Sequence, residues 1–184
     1  MRLLPILLLL CLVQSCTPTE FDSVEEYQEW VFSDESGLVQ RSSSGNFLFE
    51  LIYIPESILP DSDSTFNRFA FQMKISDKEG KAILKNGINS KDKYESRINQ
   101  LEYKTTKYFS FLGKDSISPA FVHYENYRGI RNDILIHAHF IINQKLGDQI
   151  EITFNDQIFL TGIHKFIYDA QALKDLPILN PSKT

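Results

Sequence analysis

The chain has 184 residues, with 24 Asp and Glu against 19 Lys and Arg and a formal net charge of −5 with histidine neutral. An acidic balance of this kind lacks the electrostatic footprint of a phosphate-backbone binder, so nucleic acid is not expected as a partner. A 42% hydrophobic content carrying 14 Phe, 8 Tyr and 1 Trp excludes a disordered or low-complexity chain and suffices for one folded domain.

Met1-Arg2 is a short positive start, and Leu3 to Val13 is an apolar run too short to cross about 30 Å of hydrocarbon as a helix. It reads as the core of an export signal. The run ends in Val13-Gln14-Ser15-Cys16, which resembles the bacterial lipobox, with an aliphatic residue at −3, a small residue at −1 and a thiol at +1. Gln14 departs from the small or aliphatic residue usual at −2. The resemblance implies a signal peptide over residues 1–15, lipidation of Cys16, a tether over 16–22, and a membrane partner reached through a diacylglyceryl thioether. Two or three acyl chains, at ~0.8 kcal/mol per buried methylene, anchor a protein stably. Cys11 leaves with the signal, so no thiol remains to form a disulfide and the domain is expected to rest on core burial alone.

Ser23 and Glu26 have the spacing of a capping box, and Val24, Tyr27, Trp30 and Val31 fall on one helical face, which predicts a short helix over 23–32. From residue 38 the period changes to two. Strands are predicted over 38–42 and 47–54, joined through Ser43-Ser44-Gly45-Asn46, and over 66–75, where Phe69, Phe71, Met73 and Ile75 alternate with polar neighbours. Residues 47–54 are apolar on both faces apart from Glu50, as in a central strand; Glu50 is expected to pair with Arg41 or Arg68. Tyr94, Ile98 and Leu101 predict a second helix within 90–103. Five more strands follow over 106–112, 120–124, 133–143, 149–154 and 163–168, separated by turn signals. Short strands in succession without β-α-β alternation predict an all-β fold, an antiparallel two-sheet β-sandwich with two short helices over 23–175, followed by a fraying tail over 176–184.

Two constellations are candidates for chemistry. His137 and His139 lie two apart on a strand and share a face, the spacing at which paired imidazoles hold a metal in small double-stranded β-helix proteins; the glutamate such sites carry soon after is replaced by Ile141, Ile142 and Asn143. His123 and Glu125 also share a strand face, so the carboxylate could orient the ring for general acid/base work. No nucleophile is identifiable beside them, and phosphate-loop, metalloprotease, nucleophile-elbow and calcium-loop motifs are absent, which weighs against an enzyme and implies no cofactor. Tyr124, Tyr127 and Arg128, an aromatic and arginine-bearing cluster, are the candidate binding residues.

Tyr94-x-x-Arg97-x-x-x-Leu101, followed about twenty residues later by His123-Tyr-Glu-Asn-Tyr-Arg-Gly129, resembles small uncharacterised lipoproteins of Bacteroidota-type bacteria, in which a Y-x-x-R segment precedes an H-F-E-R-like one. Asn126 stands where that family has a basic residue. The resemblance implies an envelope location and brings no activity with it. The expectation is a non-catalytic binding or assembly lipoprotein on the periplasmic side of the outer membrane, with an envelope protein complex as partner. The alternatives are a glycan or lipid carrier, or a hydrolase or metal-dependent enzyme using His123 with Glu125 or His137 with His139.

Overall fold

The computed structural model describes residues 19–59, 67–113, 115–127 and 130–180; the predicted signal, Cys16 and Arg128 lie outside them. In chain order the elements are β1 (Glu20–Phe21), α1 (Val24–Val31), β2 (Val39–Ser44), β3 (Phe47–Ile54), β4 (Arg68–Asp77), α2 (Lys91–Tyr103), β5 (Phe109–Leu112), β6 (Ser116–Ile117), β7 (Phe121–Glu125), β8 (Ile134–Ile141), β9 (Gln149–Asp156), β10 (Gly162–Asp169) and β11 (Ile178–Leu179). Both helices start at the serines read from sequence. Ser23 Oγ accepts from the Glu26 N–H at 3.1 Å and Ser90 Oγ from the Lys93 N–H, satisfying donors that the first helical turn leaves open. Among the described residues no helix is long and apolar enough to cross a membrane.

The strands form an all-β sandwich. One antiparallel sheet has the order β2-β3-β4-β8-β7 and the other β10-β9-β5-β6. Alternation decides what each sheet buries, because residues paired across strands share a face. Phe49, Leu51, Met73, Ile75, Ile134, Ile136 and Phe140 of the larger sheet and Phe109, Phe111, Ile152, Phe154 and Phe166 of the smaller one are all at most 1% exposed. Their rings meet between the layers: Phe49 lies 6.1 Å from Phe154, Phe111 5.8 Å from Phe140, and Phe71 5.5 Å from Tyr168. The Tyr168 hydroxyl donates to the Leu51 carbonyl at 2.8 Å, so the buried phenol is satisfied across the same gap.

β3 is apolar on both faces because both are covered. Its outward Ile52 and Ile54 are buried, and α1 packs against this strand. Trp30 is 8% exposed and stacks on Tyr27 at 5.7 Å, with the Phe21 ring 5.5 Å away. Glu50, the polar exception, is held between Arg41 at 2.8 Å and Lys74 at 3.2 Å; the partner is thus Arg41 and not Arg68.

The folded unit runs past both expected ends. Glu20 and Phe21, expected in the tether, pair in parallel with Ile178 and Leu179, expected in a fraying tail. A two-residue strand carries no readable period, and here Phe21 is fixed by its ring contacts with Tyr27 and Trp30.

Where β2 and β10 approach, a polar chain joins the sheets. Asp156 accepts the N–H groups of Ile158, Phe159 and Thr161 and the Thr161 hydroxyl. Since the Thr161 hydroxyl donates to the carboxylate, Thr161 Oγ1 accepts from His164 Nε2 at 2.8 Å, and His164 Nδ1 accepts from the Ser42 hydroxyl at 2.9 Å. His164 is 4% exposed and stacked on Phe49, and burial pushes its pKa down. The unfolded chain therefore takes up this proton first as pH falls, so His164 contributes stability that is present above about pH 6.5 and lost below it. Urea midpoints are expected to fall between pH 7.5 and 5, and to fall less steeply in His164→Gln. His139, also lowered, leaves a residual slope in the same direction.

Candidate binding face on strands β7 and β8

The larger sheet has an outward face that α1 covers on the β3 side and that lies open on the β7 and β8 side. Register puts Glu125 opposite Leu135, His123 opposite His137, and Phe121 opposite His139; Gln72 and Ala70 of β4 continue the last two rows. Every sequence candidate of even spacing on these strands therefore reaches one surface. Phe121 is 57% exposed there and Ile141 40%. The Phe121 and His123 ring planes lie within 6° of parallel with centroids 6.3 Å apart, and His139 and His137 sit 5.9 Å from Phe121 and 6.4 Å from His123 respectively.

Glu125 is not paired with His123, its same-strand neighbour. Its Oε1 accepts from His137 Nε2 at 2.6 Å, and its Oε2 accepts from the Tyr127 hydroxyl. Glu125 lies opposite Leu135, so His137 is its diagonal neighbour on the adjacent strand, a separation that a long side chain spans. Burial pushes the Glu125 carboxyl up, but the hydrogen bonds from Tyr127 and His137 outweigh it and hold the carboxyl below its usual range. The His139 imidazole is pushed down by burial first and then by His137 and Arg68. Beyond Tyr127, the Arg131 guanidinium lies 5.2 Å from the Tyr127 ring centroid and forks onto Asp133 through two 2.7 Å hydrogen bonds. The row from Asp133 through Arg131, Tyr127 and Glu125 to His137 is one connected polar ladder.

Among the described residues, the neighbours of the carboxylate–imidazole pair on its own face are His123, His139, Leu135, Gln72 and Tyr127, none of them a serine, threonine or cysteine. Among the described residues no group of three His, Cys, Asp or Glu side chains is placed to hold a metal ion, and His137 and His139 do not converge with a third ligand.

Tyr124 does not belong to the exposed cluster. It is 6% exposed, paired in register with Ile136 on the inward face, and burial raises its phenol to about 12. The odd and even positions of this strand were readable, but the apolar Val122 and Tyr124 mark the inner side and Tyr127 the outer. Arg128 lies outside the described residues. The sequence reading missed Phe121 and Ile141. Phe121 shares the parity of His123, and Ile141 departs from the inward parity of Ile134 to Phe140, so each carried a signal.

Comparison of the chain with protein-family models, with curated proteins and with solved structures finds no match.

Because His137 supplies one of the two bonds that lower the Glu125 carboxyl, His137→Asn is expected to raise its pKa. A carboxyl titration followed by carbon-detected NMR checks this; an unchanged Glu125 would show that Tyr127 alone sets it.

Proposed function

We propose that the chain is a lipoprotein of a bacterial cell envelope, anchored through acylated Cys16 on the periplasmic side of the outer membrane, whose sandwich domain binds an envelope protein through the outward face of β7 and β8. The observation that carries the binding role is that open face, where Phe121, Tyr127 and Ile141 stand exposed beside three imidazoles and a bonded carboxylate. Exposed aromatic side chains with satisfied polar neighbours are the usual anchors of a recognition surface. The anchoring role rests on the run Leu3 to Val13 followed by Ser15-Cys16. With β1 beginning at Glu20, three residues separate Cys16 from the first strand, a reach of about 14 Å when extended. A domain held so close to a bilayer meets partners that share its membrane.

Two measurements test the two halves separately. Cys16→Ala is expected to move the protein from the membrane to the soluble fraction, with loss of the acyl mass; a wild-type protein found soluble and unacylated would refute anchoring. Phe121→Ala with Tyr127→Ala is expected to abolish most co-purification with detergent-solubilised envelope partners, since interface anchors commonly cost ~2 kcal/mol or more on truncation. Both side chains are exposed, so the melting temperature should change little. A folded double variant that retains every partner places the interface elsewhere.

A further inference from the structure

A separate feature lies at the seam where β2, an edge strand of the larger sheet, meets β10 of the smaller one. Paired in register with Leu51, Phe49 and Phe47 of β3, the residues Gln40, Ser42 and Ser44 take the inward positions of β2, and all three are half-buried. Their partial exposure keeps this seam open to solvent, unlike the sealed aromatic layer beside it.

The seam holds an activated hydroxyl. Ser42 Oγ donates to His164 Nδ1 at 2.9 Å, His164 Nε2 donates to Thr161 Oγ1 at 2.8 Å, and the Thr161 hydroxyl donates to the Asp156 carboxylate. A nucleophile within hydrogen-bond reach of a base that a third group orients is the arrangement by which serine hydrolases on unrelated folds work. Asp156 is 1% exposed and is held by the N–H groups of Ile158, Phe159 and Thr161, so the acceptor at the far end of the relay is fixed. The tautomer that follows leaves the His164 lone pair on Nδ1, facing Ser42. Burial pushes the His164 imidazole down, against the opposing charge of Asp156, so the ring is an unprotonated acceptor at neutral pH.

The same strand supplies a donor for developing negative charge. The Tyr53 N–H donates to the Leu38 carbonyl, which sets the alternation along β2: the Ser42 N–H turns to β3, and the Ser43 N–H turns to the open edge. A backbone N–H immediately after the nucleophile is a usual holder of the oxyanion in acyl transfer. The run Ser42-Ser43-Ser44-Gly45 carries no bulky side chain that would block approach to this backbone.

We infer that Ser42 is the nucleophile of an acyl-transfer site for small carboxylic esters, with His164 as its general base and Thr161 and Asp156 as positioning residues. Ser42 Oγ bonds to the acyl carbon as its proton passes to His164 Nδ1, and the carbonyl electron pair collects on the oxygen that faces the Ser43 N–H. That pair returns as the bond to the alcohol oxygen breaks, and His164 gives the proton to the departing alcohol. Water repeats both transfers on the acylated Ser42 and releases the acid. The site shares no residue with Cys16 or with the β7–β8 face, so it stands or falls apart from the role proposed for them.

The test treats the purified full chain with a fluorophosphonate, whose phosphorus bonds to an activated serine as fluoride leaves, and locates the label by mass spectrometry. One label is expected, on Ser42, absent in Ser42→Ala and roughly 100-fold slower in His164→Gln. Thr161→Val is expected to slow labelling about tenfold and Thr161→Ser to restore it, with melting temperatures recorded for each. With p-nitrophenyl acetate, an acetyl group should appear on Ser42 and then leave. Because the base must be neutral, the wild-type labelling rate should fall on acidification with a midpoint below the ordinary histidine value of about 6.5. That profile needs no variant, so it decides the matter even where a substitution disturbs folding. No label on Ser42, a folded His164→Gln labelled as fast as the wild type, an acetyl group that never leaves, or a rate independent of pH between about 5 and 8 would each overturn the inference.

Discussion

Everything on the surface of this protein depends on the strand register of its larger sheet. Side chains alternate with a period of two, so sliding β8 by one residue against β4 would carry Ile134, Ile136 and Phe140 out of the core and His137 and His139 into it. Such a slip is costly because the inward set packs ring against ring with the opposite sheet, at centroid distances near 6 Å. The aromatic core therefore does more than hold two layers together. By fixing which parity faces inward, it also fixes that His123, Glu125, His137 and His139 face outward together.

The same constraint explains the contrast between the two ends of the outward face. On the β3 side, Ile52 and Ile54 are apolar and need cover, and α1 with its Tyr27, Trp30 and Val31 provides it. On the β7 and β8 side the outward residues are imidazoles, a carboxylate and Gln72, which tolerate water, and no helix is required there. Phe121 and Ile141 are the exceptions, large apolar side chains left in solvent among polar ones, and each would gain by burial against a partner.

Much of the scaffold was legible in the sequence because it is local. The serine caps at Ser23 and Ser90, the alternation of Phe69 to Ile75, and the inward run from Ile134 to Ile142 each declare themselves within a dozen residues, and the two-sheet, two-helix architecture follows from them. What was not legible is what strand pairing creates. His123 and Glu125 share a strand and looked like a pair, yet Glu125 bonds His137, which reaches it only through the pairing of β7 with β8, a relation that neither strand declares alone. The link from Ser42 through His164 and Thr161 to Asp156 spans 122 positions in its first step and has no sequence signature at all. Tyr124 was misplaced for a third reason: alternation separates two faces but does not say which is inner, and an amphipathic tyrosine is at home on either.

Charge shows the same division between composition and placement. A net charge of −5 argues against a polyanion spread over the whole surface, since long-range repulsion opposes it. It says nothing about a site of a few ångströms, where screening at physiological salt, with a Debye length of about 8 Å, lets local groups dominate. At the pole of the sandwich, chain segments far apart in sequence bring Arg68, Lys145 and Lys174 to one cleft, whereas Arg41, Lys74 and Lys165 are each held by a neighbouring carboxylate. Net charge therefore does not predict where individual cations gather, because loops at a sandwich end are free of the burial constraint that decides the strands.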